Sequence, residues 1–285
     1  MLSQEVISKL SVASRCLENK LLRDVGRQQV AAGRITVRNQ MSSLRRMYLY
    51  FRQMATDTYN GTSKHERSSG RIAGEPAIFA EIFDRMDIET EGFFCTVAMT
   101  SAYFSLLEHL FVLVLPATDF DPAQELVTDF IGMRLFDKYD RVFNDPSNHP
   151  ASLYRKRLHD AAERWRNPYS HGGFDKSHGS IFFHIPEVGA LSVLLSDIRT
   201  HPTFCLVPDR EMSFDQLCML FDEIDAWLRA GPLVFGIDWA EEGLDVPFNP
   251  EFLAAFRSAA GAGSEAFSEF LEHASCAAEM VAGMD

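Results

Sequence analysis

The chain lacks the features that most readily reveal a protein's setting or chemistry. No run approaches the ~18 apolar residues of a membrane span. The richest, LFVLVLPA at 110–117, follows directly on Glu108 and His109. The opening MLSQEVISKL has no basic-then-apolar secretory layout. The five cysteines (16, 95, 205, 218 and 276) are scattered and form no CxxC pair, which argues against a zinc finger or a disulfide framework. These absences set the expectation of a cytoplasmic protein with reduced thiols and no membrane partner. Walker, HExxH, GxSxG and GxGxxG signatures are missing as well. His171, His178 and His184 have a spacing that suits no familiar ligand set. No metal and no cofactor is expected.

What the chain has is a large apolar fraction and a divided charge. Of its 285 residues 46% are hydrophobic and 12% aromatic, including 23 Phe, enough for a substantial buried core. The net charge of −13 hides a basic end: residues 1–71 carry 13 Lys/Arg against 5 Asp/Glu. A basic segment on an acidic chain meets a polyanion or an acidic surface, its own included.

Helical periodicity dominates. Val6, Leu10, Ala13, Leu17, Leu21 and Val25 stripe a helix over roughly 3–31, and Val37, Met41, Leu44, Tyr48, Phe51 and Ala55 stripe a second to about 58. Joined by AAGR, the two read as an N-terminal helical hairpin, closed by the polar, glycine-rich stretch 59–75. A short helix, PAIFAEIFDRM, and a long apolar one, GFFCTVAMTSAYFSLLEHLFVLVL, follow. Asp121-Pro122 opens another, running to about Asn144. Pro150 opens the next, whose stripe of Tyr154, Leu158, Ala161 and Trp165 leads into ERWRNPYSHGGF. SIFFHI and TFCLV read as a short β-hairpin inserted between helices. Ser213 caps a further helix, and two more close the chain at roughly 250–259 and 265–281. The reading is mainly α in three parts: 1–75, a basic hairpin and loop; 76–231, a helical core; 232–285, acidic helices.

The chemistry points to Arg166-Asn167-Pro168-Tyr169-Ser170-His171. On an unbroken helix five steps rotate about 500°, leaving Arg166 and His171 roughly 140° apart. Pro168 disfavours the α conformation at Asn167, so a break is expected there, letting His171 swing back toward Arg166. Arginine's fork of donors matches phosphoryl oxygens, and histidine exchanges protons near neutrality. The plainer reading is a helix C-terminus, where cations favour the dipole and glycine follows.

RNPYSHGG after an amphipathic helix, itself following a long apolar helix with an embedded Glu108-His109, resembles the HEPN domain superfamily over about residues 90–231. Its ribonuclease members carry Arg, a polar residue, and His after four to six residues; Arg166, Asn167 and His171 match. The resemblance implies a HEPN-like helical bundle and a metal-independent endoribonuclease in which the 2′-hydroxyl attacks the adjacent phosphate. It also implies a homodimer pairing two motifs in one cleft, a toxin or anti-phage role, and a regulatory or antitoxin partner. Glu108 then becomes a candidate facing the motif. Arg164, with six residues between it and His171, joins the RNA-contacting set. So do Arg38, Arg45 and Arg52, seven apart and expected on one helical face. The rival reading docks that face on the acidic 209–285, with 16 Asp/Glu against 3 Arg. Some HEPN proteins have lost catalysis, and a module that binds a nucleotide, an RNA or a protein partner is the alternative.

Overall fold

A computed structural model describes residues 2–62, 77–144, 149–167, 181–185, 189–194, 203–204 and 212–282. The chain is mainly α. Among the described residues the α-helices are α1 (Leu2–Leu17), α2 (Arg23–Ala31), α3 (Met41–Tyr59), α4 (Ala77–Leu113), α5 (Val127–Gly132), α6 (Leu135–Val142), α7 (His149–Ala161), α8 (Phe214–Ala230), α9 (Val234–Glu241), α10 (Pro250–Ala262) and α11 (Ser264–Ala282). Short strands are β1 (Thr36–Val37), β2 (Ile181–Ile185), β3 (Gly189–Leu194), β4 (Thr203–Phe204) and β5 (Val246–Pro247).

Two compact units are drawn from separated stretches of chain. The first comprises Met1–Gln40, Leu110–Lys138 and Gly231–Asp285; the second comprises Met41–His109 and Tyr139–Ala230. Of the two helices read as an N-terminal hairpin, α1 falls in the first unit and α3 in the second. The stripe read as the inner face of that hairpin is exposed: Val6, Leu10, Leu17 and Val25 are each at least half accessible. The spacing marks an apolar stripe, but it is not a buried one.

In the first unit the core is aromatic. Trp239, Phe248, Phe256 and Phe267 are buried, and Trp239 Nε1 donates to the Asp245 carbonyl at 3.2 Å. A two-residue antiparallel ladder joins β1 to β5, with Thr36 opposite Pro247 and Val37 opposite Val246. Asn39 fastens it: its Nδ2 donates to the carbonyls of Ala240 and Leu244 at 2.9 and 3.0 Å, while its backbone N–H donates to Asp245 Oδ1 at 2.8 Å. Gly33 sits at φ 66 with its missing Cβ 3.0 Å from the Phe248 carbonyl, so turn and close approach both require glycine. Asp121-Pro122 starts only a turn, Asp121 Oδ1 accepting from the Ala123 N–H at 2.9 Å. The single helix expected to follow is two, α5 and α6, separated by the extended Met133.

In the second unit Tyr103 of α4 stacks on Phe221 of α8 at 3.9 Å between centroids, and Tyr48 of α3 lies 5.0 Å from Tyr103. The two helices expected at 77–113 are one, of 37 residues. Within it Ile88–Leu113 reaches a mean hydropathy of 1.3, long and apolar enough to cross a membrane, yet 67% of its most apolar window is buried in the fold, the pattern of a core helix. Ser213 caps α8 reciprocally: its Oγ accepts from the Gln216 N–H at 3.3 Å, and its own N–H donates to Gln216 Oε1 at 3.0 Å. The inserted sheet differs from expectation in its pairing. β2 pairs antiparallel with β3, and Thr203–Phe204 pairs with β3 instead of β2, giving the order β2-β3-β4. The GALSVL segment carries two small residues and a glycine at its start, too weak a signal to mark a strand.

Candidate functional site

The second unit holds the described part of the motif at the end of α7. Past Ala161 the helix widens into a π turn, Ala162–Arg166, and Asn167 remains helical at φ −63 and ψ −41. The break expected ahead of Pro168 is therefore absent at Asn167. The pre-proline preference is steric bias rather than prohibition. Departure from α geometry falls one turn earlier, where an extra residue is accommodated in the wide turn. Trp165 anchors it: its Nε1 donates to the Met212 carbonyl at 3.2 Å, and its ring lies 5.6 Å from that of Phe93 on α4.

Arg166 points toward α4. Its guanidinium lies 5.5 Å from the centroid of the buried Phe104 ring and its Nη2 is 4.0 Å from Glu108 Oε2. Phe104 and Glu108 are one helical turn apart, so a ring and a carboxylate rise from one face of α4 beneath the arginine. Both charged side chains keep about a third of their surface accessible, 30% for Arg166 and 33% for Glu108. The arginine lies beside an aromatic face and within ion-pair distance of a carboxylate, with about a third of its side chain accessible. Two residues far apart in sequence and singled out separately, Arg166 and Glu108, are thus brought together; Phe104 was not foreseen. The sequence signal that could have found it is its i, i+4 relation to Glu108.

Asn167 and Arg164 are half-buried on the same turn, while one turn back His159 Nδ1 lies 4.0 Å from Glu163 Oε2. His171 lies outside the described residues, as does His178, and the side chain of His184 is also outside them. Among the described residues no group of three or more His, Cys, Asp or Glu side chains converges as a metal site.

The basic face is arranged differently from expectation. Arg38 precedes α3 and belongs to the first unit, so it does not share a helical face with Arg45 and Arg52. Arg52 forms a two-pronged pair with Asp222 of α8, at 2.5 and 2.6 Å, and also donates to the Tyr48 hydroxyl at 2.9 Å. That bond to Asp222 holds the guanidinium charged more firmly than usual, against burial. Nearby, Tyr103 donates to Asp225 Oδ1 at 2.9 Å. Burial pushes the Asp225 carboxyl up from its ordinary value; the Tyr103 bond and the charges of Arg229 and Arg45 pull the other way. Burial likewise pushes the Cys218 thiol up to about 11, which makes it an inert core group. Arg52 is committed to the acidic surface of α8, as the docking alternative requires. On the same helix Glu223 pairs with Arg157 of α7.

The first unit contains a pocket of about 370 Å³, whose charged lining groups are Asp121 and Arg257. Both are occupied internally, Asp121 by the Ala123 N–H and Arg257 by the carbonyls of Pro116 and Phe120. Nothing there resembles a reaction centre. No family model, curated protein or solved structure matches this chain.

Proposed function

We propose that the chain is a metal-independent endoribonuclease of the HEPN type, with Arg166 and His171 as its catalytic pair. The observation that carries the reading is the meeting of Arg166 with Glu108 over Phe104. A part-exposed guanidinium stands in the π turn that follows α7, five residues before a histidine. In the proposed reaction the 2′-hydroxyl oxygen bonds to the adjacent phosphorus and the P–O5′ bond breaks. Neutral His171 takes the 2′-hydroxyl proton, and the departing 5′ oxygen receives one from the second copy of the motif in a homodimeric cleft. Arg166 stabilises charge on the non-bridging oxygens, Glu108 aims it, and Asn167 donates to phosphate. The products are a 2′,3′-cyclic phosphate and a 5′-hydroxyl. The setting is cytoplasmic, the role that of a toxin or anti-phage effector, and control belongs to an antitoxin-like partner.

The test is cleavage of total RNA by the purified chain in EDTA, beside the Arg166→Ala/His171→Ala variant. Metal-independent cutting by wild type, lost in the variant, is expected; equal cutting by both removes the assignment. A second reading is favoured by the same contact, because a guanidinium with a carboxylate partner in its own fold suits a HEPN-fold module that binds a nucleotide, RNA or protein partner without cutting. RNA binding without cleavage would select it.

A further inference from the structure

Residues 2–31 form α1 and α2 joined by a π turn, Glu18–Leu22, and carry an exposed apolar stripe. Val6, Ile7, Leu10, Leu17, Leu22 and Val25 are each between 50% and 65% accessible. The π turn keeps this stripe straight. Eight residues separate Leu17 from Val25, which on an uninterrupted α-helix would rotate Val25 about 80° out of line. A wide turn absorbs one residue, so Val25 returns to the line set by Val6, Leu10, Ala13 and Leu17. A helix bearing an apolar seam about three heptads long, brought back into phase by a local defect, has the form of one half of a coiled coil.

The charges beside the seam select its occupant. Lys9 and Asp24 stand on one flank, each immediately before a seam residue, Leu10 and Val25. Ile7 and Leu22 lie on the other. In an antiparallel pair like flanks face each other, so a twofold axis near residues 15 and 16 sets Lys9 against Asp24 of the second copy and Asp24 against its Lys9. The same axis sets Val6 opposite Val25, Ala13 opposite Leu17, and Ile7 near Leu22. A parallel pair would turn Lys9 toward Ser14 and Asp24 toward Gln29, leaving both charges unmatched. Within one chain Lys9 now pairs with Glu5 at 2.9 Å and Asp24 with Arg27 at 3.7 Å, all four side chains at least two-thirds exposed. Pairs this open exchange partners at little cost. We infer that residues 2–31 are a self-association element: two copies of the chain join through an antiparallel coiled coil of this helix, with Lys9 and Asp24 fixing its direction. The inference does not depend on ribonuclease activity.

Sedimentation equilibrium of the full-length chain tests it. Wild type is expected to dimerise, and Leu10→Lys/Leu17→Lys to be monomeric with an unchanged circular dichroism core signal, since both residues are already more than half exposed. Lys9→Glu and Asp24→Lys should each weaken dimerisation about tenfold by setting like charges across the seam. The combined Lys9→Glu/Asp24→Lys variant should recover wild-type affinity, although it does not restore the pairs with Glu5 and Arg27. A monomeric wild type overturns the proposal. So does a dimer insensitive to the Leu10/Leu17 variant, which would place self-association elsewhere, as would association only with a different protein. Failure of the double charge reversal to restore dimerisation overturns the antiparallel arrangement.

Discussion

Replacing Arg52 by glutamine separates the two roles open to the basic face of α3. The side chain makes two short bonds to Asp222 and one to Tyr48, and its guanidinium lies 5.9 Å from the Tyr48 ring. Arg52 is 26% exposed but Asp222 is 58% exposed, so the ion pair is discounted heavily for water. Two-pronged geometry puts it near the upper end of exposed pairs, about 1 kcal/mol. The cation–aromatic contact adds about 0.5 kcal/mol. Arg52→Gln should therefore destabilise by about 1–2 kcal/mol and lower the melting temperature by roughly 2–8 °C. Asp222→Asn should cost less, and a double-mutant cycle should return a coupling of about 1 kcal/mol, reduced by added salt. Fluorescence anisotropy with labelled RNA completes the test. If the face serves internal docking, the salt dependence of RNA binding is the same in Arg52→Gln as in wild type. A variant with wild-type stability and a salt slope shallower by about one phosphate contact would refute the docking argument.

His171→Ala and Arg166→Ala should each abolish RNA cleavage while unfolding free energies stay within about 1 kcal/mol of wild type, because Arg166 is part-exposed; retained cleavage by either variant counts against the proposed pair. Asp225 has a folded-state pKa raised by burial, so protonation favours the native chain. Relative to Asp225→Asn, wild type should gain stability as pH falls from neutrality through the raised value toward the ordinary carboxylate range, and lose that gain as pH rises; urea midpoints independent of pH difference would contradict the burial. At Gly236 a Cβ would stand 3.0 Å from Val114 Cβ and 3.1 Å from its Cα. Gly236→Ala gains about 1 kcal/mol of helix propensity but incurs overpacking of about 1–3 kcal/mol, so a net loss in thermal melting is expected and a rise would show that the α9 contact is slack.

Helices were legible wherever an apolar stripe had a clear stop. The Ser213 cap and the two closing helices follow from local chemistry alone. Partnerships were not. Tyr48, Tyr103 and Phe221 each look like ordinary stripe residues, and their stack exists only when three distant segments meet. β1 and β5 are two residues long and owe their ladder to Asn39, whose bonds reach more than 200 residues along the chain. At the candidate site Arg166 was legible because arginine five residues before histidine is a chemical pattern. Its orientation by Glu108 and Phe104 depends on where α7 meets α4. Arg38 was misplaced for a simple reason: seven-residue spacing means one face only if all three residues are in one helix, and α3 begins at Met41.

The interleaving of the two units has a consequence for the order in which they can form during synthesis. All of Met41–His109 and Tyr139–Ala230 has been made once residue 230 is added, so the second unit has its full complement of chain at that point. The first does not, because Gly231–Asp285 is still to come. Leu110–Leu115, almost wholly inaccessible in the finished fold, packs at Val114 against Gly236, while Arg257 ties down the carbonyl of Phe120. At about 5–20 residues per second the remaining 55 residues take roughly 3–11 s to emerge. For that interval the nascent chain carries a continuous apolar strip with its cover not yet translated, a natural binding site for a ribosome-associated chaperone and the point at which a stalled or truncated message would yield an aggregation-prone product.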